Sequence, residues 1–407
     1  MERGHRKIKV RCALVPLLLV RFCVAADFNP AAPDPNAAGM DAARLARIPA
    51  RMREFVEQGK AAGIVTLVAR HGHVAALDAT GYLDLDTRTP MRTDSIFRIM
   101  SMTKPVTSVA AMILVEEGRL ALIDPAEKYL PEFRGQQVMV KCPPGSAAAT
   151  CLAKPAHPVT LFDLLTHTAG VAVPKAGDAS PKTLAEEAAA VARLPLEFEP
   201  GTQWRYRTEG INVVGRIVEV ASGMPFERFV AQRIFAPLGM VDSSFFPDPA
   251  KSARIAAVYT GENGTLRRAA AHDTLYPSPG AGMLSTAADM ARFYQMMLDK
   301  GRFNGRRILS AASVETMTMV QTGEMPAGFA PGMGFGLGWG VVREPRGAFR
   351  LCSIGSYGHG GAYRTYGWVD PPKDLVTVLM MQRTNGGGDV ADEINAFLAM
   401  AAAAIER

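Results

Sequence analysis

The chain has 407 residues, 48% hydrophobic and 21% charged, with a formal net charge of +6 and a pI of about 9.1. That length suits a large buried core, and no stretch approaches the roughly 20 consecutive apolar residues that a bilayer-spanning helix needs. The basic excess sits in residues 1–26, where Arg3, Arg6, Lys7, Lys9, Arg11 and Arg21 face only Glu2, so the rest is close to neutral and nucleic acid is not expected as a partner.

In chain order, residues 1–26 have the form of a secretory signal. A basic stretch through Arg11 precedes the apolar run Cys12 to Val20 and the small-residue pattern Val24-Ala25-Ala26. The run is short and Arg21 follows it, so a periplasmic or secreted location stands beside the alternative of a basic tail on a cytoplasmic protein. After a Pro/Ala-rich linker, a helix is predicted over Ala42 to Gly59, with Leu45, Ile48, Met52 and Phe55 on one stripe. Ile64 to Arg70, a turn at His71-Gly72-His73 and Val74 onward predict a β-hairpin. Cys142 and Cys151 bracket KCPPGSAAATC, either a disulfide-stapled loop or two free thiols. Near the other end, Tyr366 to Val369, a turn at Pro371–Asp374 and Leu375 to Met381 predict a second hairpin, followed by a helix from about Asp389 to Ile405.

Strands at both ends with helices between them predict an α/β chain of the α+β type. One sheet domain would come from residues 27–96 and 265–407, a mostly helical domain from 97–264, and the site would lie in the cleft between them. No His/Cys or carboxylate spacing suggests a metal, and neither metal nor cofactor is expected. The oligomeric state is not legible.

No serine lies in a G-x-S-x-G elbow, which argues against the α/β-hydrolase solution. Instead Ser101-Met102-Thr103-Lys104 opens a helical run to Glu117, with a stop at Gly118. On a helix, positions i and i+3 share a face, so the amine can sit beside the hydroxyl, and the helix N-terminus favours developing negative charge. Burial and a neighbouring positive charge would lower the lysine pKa enough to make it a base. The plainer alternative for the tetrapeptide is an N-cap serine with a solvated lysine.

Tyr206, in Trp204-Arg205-Tyr206-Arg207-Thr208 after the turn Glu199-Pro200-Gly201, can shuttle a proton if nearby cations depress its pKa. Taken singly, it is equally a half-buried aromatic. Gly358-His359-Gly360-Gly361-Ala362-Tyr363 enters a strand, expected at a sheet edge, where small residues admit a substrate to the backbone. There the N–H groups of Ala362 and Ser101 can form an oxyanion hole; the plainer alternative is a glycine-rich turn.

Together these elements resemble the serine β-lactamase and D,D-peptidase superfamily, and within it the class C β-lactamases and family VIII carboxylesterases. Stretches such as IFRIMSMTKPVTSVAAMILVEEGRLALIDP, TLFDLLTHTAGV, FEPGTQWRYR, GAGMLSTAADMARF and GHGGAYRTYGWVDP carry the resemblance along nearly the whole chain after the leader. It implies an antiparallel sheet flanked by helices, with Ser101 as nucleophile, Lys104 as base and Tyr206 as the first residue of a Y-x-N motif. Thr208 stands where the lactamase pattern has asparagine, and His359-Gly360-Gly361 replaces K-T-G. The family's asparagine and lysine serve the amide and carboxylate of a β-lactam. The resemblance therefore implies a small-molecule carboxylic ester of short to medium chain as substrate, with β-lactam or D-amino-acid peptide hydrolysis, or a non-catalytic penicillin-binding role, as alternatives. A protonated His359 would still bind an anion. His167, in THTAG, is expected to be a helix-end residue and not a base.

Overall fold

A computed structural model describes residues 28–174, 181–262, 264–271, 273–384 and 391–406; the expected leader lies outside them. Asp41 accepts hydrogen bonds from the amides of Ala43 and Arg44 and starts one helical turn, Ala42–Leu45. The longer helices that follow are α1 (Arg47–Glu57), α2 (Thr103–Glu116), α3 (Leu184–Ala192), α4 (Thr208–Ser222), α5 (Ala287–Leu298) and α6 (Asp392–Ala403). The stripe Leu45, Ile48, Met52 and Phe55 is buried, as its period requires. The last helix starts at Asp392, later than expected, and residues 385–390 lie outside the described ones.

Among the described residues the main sheet has eight strands: β1 (Gly63–Arg70), β2 (His73–Asp84), β3 (Thr89–Pro90), β4 (Met333–Phe335), β5 (Gly340–Val342), β6 (Tyr357–Gly361), β7 (Thr365–Asp370) and β8 (Leu375–Met380). They pair antiparallel throughout in the order β4-β5-β6-β7-β8-β1-β2-β3. The two hairpins read from sequence therefore meet at β1 and β8, where Val65 faces Met380 and Arg70 faces Leu375. Chain ends far apart in sequence become neighbours in the sheet.

Every residue of β1 is buried, and its alternate side chains serve two cores. Val65, Leu67 and Ala69 join the core that includes α2, α4 and α5, while Ile64 and Val68 join the one under α1 and α6. A strand covered on both faces has no solvent side, so its sequence runs apolar without alternation. The helix α5 lies so close that a Cβ at Gly367 of β7 would stand 2.1 Å from the Tyr294 ring. Among the described residues no helix is long and apolar enough to cross a membrane.

Cys142 and Cys151 are disulfide-bonded at the loop end of the small hairpin Val138–Lys141/Thr150–Ala153. Among the described residues the one other cysteine is Cys352, and burial pushes its thiol up to about 12, which keeps it unreactive. The strand β6 is not an edge strand, because it lies between β5 and β7. The strand β5 is short and on its β6 side pairs with Tyr357 and Gly358, so His359 to Gly361 extend beyond it. Backbone access arises from a truncated neighbour and not from the sheet border.

Candidate active site

Ser101 lies in a tight 3-10 turn, Met100–Met102, immediately before α2. Met100 has φ +51°, a left-handed conformation that costs a non-glycine residue energy and needs surrounding support. That support comes from Ile99, whose N–H donates to Met283 O at 3.0 Å, and from Thr103 Oγ1, which donates to Met100 O at 2.6 Å and accepts from Met283 N at 3.2 Å. The turn presents a half-buried Ser101, with Lys104 beneath it on the same face.

Lys104 is completely buried. Its Nζ lies 3.0 Å from Ser101 Oγ, 3.2 Å from Thr208 Oγ1 and 2.8 Å from Gly280 O. Burial lowers its pKa to about 7, against an opposing pull from the Glu209 carboxylate. The expected neighbouring cation is not what depresses it; desolvation does so. A surface lysine would hold its proton at neutral pH, whereas this one is free of it about half the time.

Tyr206 is brought to the pair, its ring centroid 4.7 Å from Lys104 Nζ. The phenol sits among aromatic rings: His167 at 4.6 Å, Phe329 at 5.0 Å, His359 at 5.9 Å and Trp204 at 6.4 Å between centroids. His167 ends the helical turn Leu161–Thr166 at φ +61° and is buried. Its Nδ1 accepts from Arg207 N at 3.3 Å, and burial holds its pKa well below the usual histidine value. It is a structural helix-end residue that helps set the Tyr206 segment, not a base at neutral pH.

His359 is 2% exposed, and its Nδ1 lies 2.6 Å from Gly360 O, so that nitrogen carries the hydrogen. Burial and the charge of Lys104 lower its pKa to about 3. The expectation that a protonated His359 binds an anion is therefore corrected: the imidazole is neutral at any ordinary pH, because a second cation beside a buried lysine is too costly. Its Nε2 is buried without a hydrogen-bond partner among the described residues.

Gly360 and Gly361 carry β6 past the Ser101 turn, where a Cβ at Gly361 would stand 2.3 Å from Ile99 O. Only glycine permits that approach. Ala362 follows, exposed, in the turn that links β6 to β7, and the turn is closed by Arg364 N donating to Gly361 O at 2.8 Å. Thr365 Oγ1 donates to Ile99 O at 2.8 Å and so ties the Ala362 turn to the Ser101 turn. Thr365→Val strips this buried carbonyl of its donor and is expected to cost about 1–3 kcal/mol. Urea denaturation measures it, with Thr365→Ser expected to retain most of the stability.

Sequence reading named Ser101, Lys104, Tyr206, His359, Gly360, Gly361 and Ala362, and the fold gathers them around one turn. It missed Gly280, Glu209 and Asn212. Gly280 contributes through its backbone alone, which leaves no side-chain signal. Asn212 had one: it stands four residues after Thr208, on the same face of α4.

Comparison with known proteins shows the family. Residues 48–401 match the beta-lactamase family. Protein Rv1367c of Mycobacterium tuberculosis is 35% identical over 364 residues, covering 82% of this chain and 88% of that one. Esterase EstB of Burkholderia gladioli is 31% identical over 386 residues, covering 85% and 93%. Among solved structures, EstCE1, described as a hydrolase with promiscuous acyltransferase activity, superposes with a TM-score of 0.76 at 23% identity, over 89% of this chain and 99% of that one. With its antiparallel sheet flanked by helices, the chain belongs to the beta-lactamase family and is a serine hydrolase of that fold.

Proposed function

We propose that the protein is a carboxylesterase that cleaves short- to medium-chain esters through an acyl-enzyme on Ser101. The observation that carries this reading is the fully buried Lys104 amine, lowered to about 7 and 3.0 Å from Ser101 Oγ. Ser101 Oγ attacks the ester carbonyl as its proton passes to Lys104 Nζ. The N–H groups of Ser101 and Ala362 hold the oxyanion, an interaction worth about 2.7–4 kcal/mol per donor in such sites. The proton then reaches the leaving alkoxide through the Tyr206 phenol. Water, deprotonated by the same pair, attacks the acyl-enzyme and releases the acid, and Ser101 recovers its hydrogen.

The ester preference rests on His359 and Thr208. In lactam-cleaving relatives a lysine meets the substrate carboxylate, whereas His359 offers a neutral ring. Thr208 Oγ1 is already engaged with Lys104, and it lacks the carboxamide that serves a lactam amide. The rings of Trp204, Tyr206 and Phe329 supply an apolar wall suited to an uncharged acyl or alkoxy group. The name of EstB points the same way. The leader-like residues 1–26 and the Cys142–Cys151 bridge fit an exported enzyme, since such bridges persist in oxidising compartments.

Steady-state hydrolysis of p-nitrophenyl butyrate beside a chromogenic cephalosporin tests the reading, with Ser101→Ala as control. Ester turnover that is fast, Ser101-dependent and far above cephalosporin turnover is expected. Faster cephalosporin cleavage would reclassify the protein as a β-lactamase. A stoichiometric burst on either substrate without turnover would make it a penicillin-binding protein.

A further inference from the structure

We propose that Asn212 is a positioning residue for Lys104, holding the Gly280 carbonyl so that the amine lone pair faces Ser101. This rests on the reading of Lys104 as the base.

Asn212 is buried on α4, one helical turn beyond Thr208. Its Oδ1 accepts from Gly280 N at 2.9 Å and from Ser278 Oγ at 3.2 Å, and its Nδ2 donates to Glu187 Oε1 at 3.3 Å. A backbone N–H can only donate, so the carboxamide oxygen must face Gly280. The segment Ser278-Pro279-Gly280 is clamped from both sides. Thr107 Oγ1 of α2 donates to Pro279 O at 2.6 Å, while a Cβ at Gly215 of α4 would lie 2.1 Å from the Pro279 ring. At Gly280 itself a Cβ would lie 2.6 Å from Thr208 Cγ2. The fold thus keeps both glycines bare to bring this peptide against Lys104.

The consequence lies in counting hydrogens. A neutral amine has two N–H groups and one lone pair. Gly280 O can only accept and takes one hydrogen at 2.8 Å, and the other goes to Thr208 Oγ1 at 3.2 Å when Ser101 is the hydroxyl that donates. The remaining direction points at Ser101 Oγ, 3.0 Å away, and carries the lone pair. When the serine attacks, its O–H bond breaks, the Oγ–carbon bond forms and the hydrogen moves onto Nζ. The resulting ammonium donates to all three oxygens without turning. A base preset in this way loses rate when its direction is lost, and misplacement of about 1 Å can cost on the order of a hundredfold.

Two variants of the full-length protein test this by rapid-mixing acylation with p-nitrophenyl butyrate. Asn212→Leu has similar volume but no acceptor for Gly280 N, and acylation is expected to slow at least about tenfold. Asn212→Asp keeps the acceptor oxygen and is expected to recover most of the rate. The new acid group meets Glu187 Oε1 where the amide donated at 3.3 Å, so it keeps a proton there and reproduces that donor as well. Wild-type acylation in Asn212→Leu overturns the proposal, as does an Asn212→Asp variant as slow as Asn212→Leu at an unchanged Tm. If Asn212→Leu does not fold, an Asn212→Ala variant that folds and acylates at the wild-type rate overturns it. Activity persisting in Lys104→Met would instead remove the base reading beneath it, a separately visible failure.

Discussion

Replacing Lys104 by methionine is expected to lower ester turnover by a factor of about 100 to 10,000 and to make the protein more stable near neutral pH. The first effect is the usual contribution of a positioned general base. The second follows from the protonation of a fully buried amine. Folding moves Lys104 from its ordinary value of 10.5 to about 7, and each pKa unit is worth about 1.4 kcal/mol. The penalty is therefore on the order of 4 kcal/mol at and below pH 7. Methionine removes it while filling similar space, but leaves Gly280 O without its donor, at about 1–3 kcal/mol. The net gain is on the order of 1–3 kcal/mol at pH 7. Between pH 7 and 10.5 the unfolded chain holds more protons at this lysine than the folded chain, so wild-type stability rises with pH across that window. The stability gap between the two proteins should narrow accordingly, which urea unfolding at pH 7 and pH 10 measures. A Lys104→Met variant less stable than wild type at pH 7 would show that the amine is not desolvated as described.

The wild-type enzyme is expected to lose kcat/KM toward acid along a single-proton limb centred near pH 7, about a hundredfold by pH 5. Three groups near Ser101 are candidates for such a limb, and burial separates them. Lys104 titrates at about 7, His359 at about 3, and His167 well below the usual histidine value. Only the lysine changes charge between pH 5 and 8, so replacing His359 by glutamine should leave the midpoint within about half a unit even if it alters KM. A pH–rate profile on p-nitrophenyl butyrate for both proteins reads this directly. A midpoint below pH 5 in the wild type would assign the base elsewhere.

Stability and activity pull against each other at this site. The desolvation that costs folding free energy also frees the amine of its proton at neutral pH, so under the proposed mechanism a more stable side chain there removes the base. The same logic extends to Met100, which bears a left-handed backbone that the Thr103 and Met283 contacts hold in place.

Much of the site was legible before any fold was known, because its central pair is local. Ser101 and Lys104 are three residues apart at the start of a helix, and that spacing alone sets them side by side. The hairpins at either end were legible too, from apolar runs interrupted by turn residues, as was the stripe on α1. The position of β6 was misread as an edge because strand order depends on pairing between distant segments, and the brevity of β5 has no local signature.

By itself, then, the sequence singled out the residues proposed to carry the chemistry and determined that an antiparallel sheet would be assembled from both chain ends. Periodicity and i, i+3 spacing are properties of a few consecutive residues. Only the tertiary structure decided what those residues are chemically. The neutral state of His359, the pKa of Lys104 and the role of Asn212 all follow from burial and from a peptide 176 positions along the chain that meets the amine at 2.8 Å. Protonation is set by the solvent a group loses and the partners it gains, and both are supplied by segments remote in sequence.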